Sequence, residues 1–128
     1  MNIKLKIISA KEFEKNFKCS IHKNGKLGFS ETAIRKLNID KNCGLIFGQN
    51  EDDLNDKNLY MKITREQIED AFKINKAGQY FYANTKALFD SLELDYQNKT
   101  IIYDMLELNN DNEKLYKLIK REVEKKIK

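Results

Sequence analysis

The sequence predicts an α+β fold: antiparallel β-hairpins forming a sheet or small barrel, with short helices and a C-terminal amphipathic helix. Three observations carry this. Short stretches alternate apolar and polar residues, the period of a strand. Two glycine turns, Asn24-Gly25 and Ala77-Gly78, each sit between such stretches. Near the end, Leu115, Leu118, Ile119, Val123 and Ile127 recur at helical spacing behind an acidic start and a basic finish.

In chain order, Ile3, Leu5 and Ile7 alternate with Lys4 and Lys6, predicting a half-buried strand over 3–8. Ser9 with Glu12 has the form of a capping box and predicts a helical turn over 10–15. Phe17, Cys19 and Ile21 share one face of the next strand; Lys18, Ser20 and His22 share the other. Asn24-Gly25 turns the chain into a return strand over 26–29. Ser30 stands where an N-cap belongs, and Ala33, Ile34 and Leu37 stripe a two-turn helix. Residues 43–49 form a nearly continuous apolar strand, 50–58 a polar loop, and Leu59, Met61 and Ile63 alternate in another strand.

The second half opens with Thr64-x-x-Gln67, a capping box ahead of a short helical turn. Residues 72–75 and 79–83 make a second hairpin, and Thr85 caps a helix carrying Leu88, Phe89 and Leu92. Ile101, Tyr103 and Met105 share a strand face, and Asp111 opens the final helix. Laid side by side, the halves repeat an order: strand, glycine turn, strand, capped helix, "Leu-x-(Ile/Leu)-Asp", strand. Residues 1–128 therefore read as one domain, with 17–63 and 72–108 as candidate ββαβ repeats.

Composition narrows the function classes. At 128 residues the chain is long enough for one hydrophobic core without disulfides or metal. No apolar run spans a membrane, and lysines interrupt the apolar pairs of the N-terminus, so a cytoplasmic location is expected, with Cys19 and Cys43 as reduced thiols. Residues 1–41 carry ten Lys/Arg against four Asp/Glu; residues 42–114 carry eight against fourteen; residues 115–128 carry six against two. Opposed charge of this kind suits an anionic partner or self-association.

Little points to catalysis. His22 is the only histidine, neither cysteine stands at a known spacing from it, and the acidic run Glu51-Asp52-Asp53 with Asp56 lacks the glycine and distant Glu of a calcium loop. No catalytic residue, metal ligand or cofactor is assigned. Binding has more to work with: His22, Lys23, Lys26, Arg35 and Lys36 cluster around one turn and one helix, where they suit phosphate contacts. The same set also fits the wetted side of an amphipathic hairpin.

The stretch "GKLGFSETAIRKLNIDKNCGLIF", followed by "LYMKI", resembles the AbrB-type (SpoVT-AbrB) DNA-binding domain over residues 17–63. In that family a strand leads into Gly-Arg, an apolar strand ending in Pro, a short helix with Arg and Leu, then Gly-Asp and two strands. Gly25-Lys26 stands at the Gly-Arg, Leu27 and Phe29 at the apolar strand, Leu37 and Ile39 at the helix end. The resemblance implies DNA binding and regulation, with Lys26 and, one residue shifted, Arg35 as the basic DNA-facing side chains. Ser30 replaces the proline, Asn42-Cys43 replaces Gly-Asp, and Lys26 lacks the forked guanidinium that reads guanine. If 72–108 is a second unit, one chain would contain the two-subunit barrel the family forms, with Gly78-Gln79 in place of Gly-Arg.

Two other readings stay open. Tyr80 and Tyr82 share a strand face near Lys73, Lys76 and Lys86, a pattern that suits base stacking on a sheet similar to Whirly- or PUR-type folds. The C-terminal helix suits a homodimer or partner contact instead, making the chain an interaction module. The favoured expectation is a small, non-enzymatic, regulatory nucleic-acid-binding protein of bacterial type.

Overall fold

Alternation decides which side of each strand is buried, and here the buried sides all face one interior. The structure, a computed structural model, describes residues 2–8 and 17–124. Its elements are β1 (Phe17–Ile21), β2 (Leu27–Phe29), α1 (Glu31–Lys36), β3 (Gly44–Gly48), β4 (Leu59–Thr64), β5 (Phe72–Ala77), β6 (Tyr80–Ala83), α2 (Lys86–Ser91), β7 (Lys99–Asn110) and β8 (Glu113–Glu124). The strands close into an antiparallel barrel in the order β1-β2-β6-β5-β3-β4-β8-β7, β7 pairing back onto β1. Closure leaves most backbone donors and acceptors paired within the sheet. Cys19, Leu27, Leu45, Met61, Ile101 and Leu118 fill the interior. Each such large side chain contributes roughly 1.5–3 kcal/mol relative to exposure.

The strand order has a two-fold pattern. Exchanging β1 with β5, β2 with β6, β3 with β7 and β4 with β8 returns the same closed order. The two N-terminal hairpins of the halves lie side by side through β2 and β6, and the later strands pair through β4 and β8. Helices α1 and α2 follow the second strand of each half.

Local chemistry explains the corners. Residues 22–26 form a three-residue loop in which His22 N–H donates to the Lys26 carbonyl and Gly25 N–H to the His22 carbonyl. Only Gly25 there takes a positive φ, +84°. Ser30 ends β2 and begins α1: its N–H donates to the Lys18 carbonyl, while its Oγ accepts from Ala33 N–H at 3.2 Å. Thr85 precedes α2 without capping it. Its buried hydroxyl instead donates to the Gly25 carbonyl at 3.0 Å, tying the first hairpin turn to the second half.

The fold class departs from the α+β expectation. Among the described residues only two six-residue helices stand beside eight strands, and residues 113–124 are strand rather than helix. Asp111 is not an N-cap: Asp111 and Asn112 have φ of 49° and 67°, the backbone of a two-residue hairpin turn. That turn folds β8 back on β7 through twelve residue pairs, Asn110↔Glu113 to Lys99↔Glu124. Tyr116 and Leu118 then point inward while Ile119 and Val123 are exposed, a period of two. The N-terminal strand over 3–8 is likewise not formed; residues 2–8 are exposed and outside any ladder. The expected turn over 10–15 lies outside the described residues. Thr64 caps no helix, its Oγ1 accepting from Glu66 N–H in a local turn.

Candidate nucleic-acid interface

Pairing of β2 with β6 sets Gly28 opposite Tyr82, and pairing of β1 with β2 sets Ser20 opposite Gly28. The outward side of this junction gathers residues from both hairpins. Tyr80 and Tyr82 stack, ring centroids 5.8 Å apart and planes 20° apart. Lys26 Nζ lies 4.5 Å from the Tyr82 ring centroid, a cation–π contact. The Tyr80 hydroxyl hydrogen-bonds His22 Nε2, and the two rings meet edge to face at 5.4 Å.

Gly28 makes this possible. A Cβ at that position would collide with the Tyr80 hydroxyl and His22 Nε2, and would lie 2.8 Å from Tyr80 Cζ. The glycine serves close approach, since its backbone is ordinary strand. Partial burial holds the His22 pKa below 6.5, disfavouring the imidazolium. Burial, and then the neighbouring Tyr82, push Tyr80 above its ordinary value.

The expected site residues divide. His22, Lys26, Tyr80 and Tyr82 line one small cleft of about 260 Å³ with Asn24 and Ala77. Arg35 lines an adjoining open groove of about 800 Å³, where α1 faces the second hairpin through Lys76, Gln79 and Tyr80. Tyr80 belongs to both. Lys23 sits exposed in the first hairpin turn, and Lys36, one residue beyond Arg35, lines neither cleft nor groove. His22, Lys26 and Arg35 of the basic set thus adjoin the tyrosine pair, although the two were read from sequence as rival sites. Gly28 and Gln79 were not among the expected site residues. Their roles depend on β2 meeting β6, a contact between residues 27–28 and 82–83 with no local signature.

Charge pairing differs around the barrel. Lys18, Lys23, Lys26, Arg35, Lys73 and Lys76 make no ion pair with a described residue. Lys62, Lys99, Lys114, Lys120 and Arg121, around β4 and the β7–β8 hairpin, are each bonded to a carboxylate. Lys86, near the tyrosines in sequence, is held by Asp90 at 2.8 Å and packs its stem on Gly25.

Cys19 and Cys43 are both buried, and burial pushes both thiols up. Among the described residues no group of three or more His, Cys, Asp and Glu is placed to hold a metal ion, and no helix is long and apolar enough to cross a membrane. No family model, curated protein or solved structure matches the chain.

Proposed function

We propose that the protein is a non-enzymatic, regulatory nucleic-acid-binding protein, and that it engages duplex DNA through the outer face of its two adjoining hairpins. Lys23, Lys26, Arg35 and Lys76 supply the phosphate contacts. The observation that carries this reading is that these cations have no carboxylate partner among the described residues, whereas Lys62, Lys99, Lys114, Lys120 and Arg121 each have one. A phosphate meeting an unpaired ammonium or guanidinium need not displace an intramolecular partner, and each contact releases counterions.

Duplex is favoured over stacked single strands by the state of the rings. Tyr82 already contacts both Tyr80 and Lys26, so a base stacking there competes with contacts already made. The ring pair instead holds Lys26 in place. Four phosphate contacts give a log–log salt slope of about −3.6 on duplex DNA. Fluorescence anisotropy with duplex and single-stranded oligonucleotides across a salt series tests this. Duplex preference with a slope near that value supports the reading; single-strand preference abolished by Tyr80→Ala and Tyr82→Ala replaces it with stacking.

A further inference from the structure

A barrel has no edges, but this one has an overhang. Strand β4 registers with β8 only at Leu59↔Leu118, Tyr60↔Lys117 and Met61↔Tyr116. Among the described residues, 119–124 continue along β7 alone, so their other side is an edge that no described strand pairs. On that edge Ile119 is 40% and Val123 51% exposed. An open edge with apolar side chains is a template for another strand.

The same chain carries a segment of strand-like sequence that pairs with no described residue. Ile3, Leu5, Ile7 and Ile8 are 71–85% exposed, a concentration of large apolar side chains that folding of one chain does not explain. We infer that residues 2–8 of one copy add as a strand to the 119–124 edge of a second copy, making the protein a strand-exchanged dimer.

Three features match the two pieces. Their lengths are seven and six residues, one strand each. Their alternation can be set in phase: with Ile3, Leu5 and Ile7 on the face of Ile119 and Val123, Lys4 and Lys6 take the face of Lys120, Glu122 and Glu124. Their charges meet at one point, because Lys99 and Lys120 already hold Glu122. Arg121, on the apolar face, is already neutralised by Asp104 in a two-point contact at 2.6 and 3.1 Å. Glu124 makes no ion pair with a described residue and is open to a lysine. Because each copy holds both pieces, two copies can exchange reciprocally, which closes the assembly at a dimer.

Sedimentation velocity of the full chain, from low to several hundred micromolar, reads the outcome together with hydrogen exchange. The expected result is a concentration-dependent dimer with slowed amides in 119–124. Leu5→Asp/Ile7→Asp, at positions 79% and 85% exposed, and Ile119→Lys/Val123→Lys, at exposed positions, each return a monomer with an unchanged far-ultraviolet spectrum. A wild-type monomer at every concentration, with those amides slow or fast, overturns the proposal. So does a dimer that survives Leu5→Asp/Ile7→Asp.

Discussion

Tyr80 and His22 meet directly above Gly28, the phenol hydroxyl against imidazole Nε2, in the space a side chain at residue 28 would fill. The contact joins the hairpins of the two halves on the outside of the barrel, while Leu27 and Ala83 join them inside.

Gly28→Ala is therefore expected to destabilise the protein by about 1–3 kcal/mol, the usual cost of forcing a methyl into occupied space. Urea denaturation measures it. Companion Tyr80→Ala and His22→Ala changes together vacate the space, and in that background the alanine at 28 should cost far less. A full cost in both backgrounds would place the strain elsewhere.

His22 gives a pH dependence of definite sign. Its folded pKa lies below the unfolded value of 6.5, because burial penalises the charged ring. The unfolded chain then binds the extra proton first, so the stability His22 contributes is present above pH 6.5 and is lost as pH falls through its folded pKa. As the only histidine, its ring protons can be followed by NMR without ambiguity. The midpoint should lie below 6.5 and move up toward it in Tyr80→Ala, which exposes the imidazole.

Thr85 is fully buried, and its hydroxyl is a donor to the Gly25 carbonyl. Thr85→Val keeps the shape and strands that carbonyl, a loss of about 1–3 kcal/mol by denaturant titration. Thr85→Ser keeps the hydroxyl and should recover most of it. A loss from Ser with almost none from Val would mean that packing of the methyl, not the hydrogen bond, ties the turn to α2.

The C-terminal segment offers a test of strand against helix. Leu118 is fully buried and Ile119 is 40% exposed. Leu118→Ala should cost about 2–5 kcal/mol. Ile119→Ala, measured on monomeric protein, should stay within about 0.5 kcal/mol. A helix with both residues on its apolar stripe would make the two losses similar.

That segment also shows what was legible in the sequence. Strands such as β1, β3, β4 and β7 announce themselves, because alternation of Phe17, Cys19 and Ile21, or of Ile101, Tyr103 and Met105, is a local pattern. Leu115, Leu118, Ile119 and Val123 satisfy helical spacing, and the basic finish suits a helix dipole. What decides for a strand is twelve pairs with β7 across Asp111-Asn112, a non-local choice that overrides the pattern. The interface divides the same way. Lys26 and the tyrosines stand out as residue types, whereas their meeting over Gly28 follows only from closing the barrel through β2 and β6.

The most direct test of the central claim is duplex DNA binding by the wild-type protein and by Lys26→Glu/Arg35→Glu, with Lys114→Glu as the control on the β7–β8 side. The account predicts salt-sensitive binding by the wild type, loss in the double variant, and near-normal binding in the control, with folding intact in all three. No duplex binding by the wild type, or equal binding by the double variant, would contradict it.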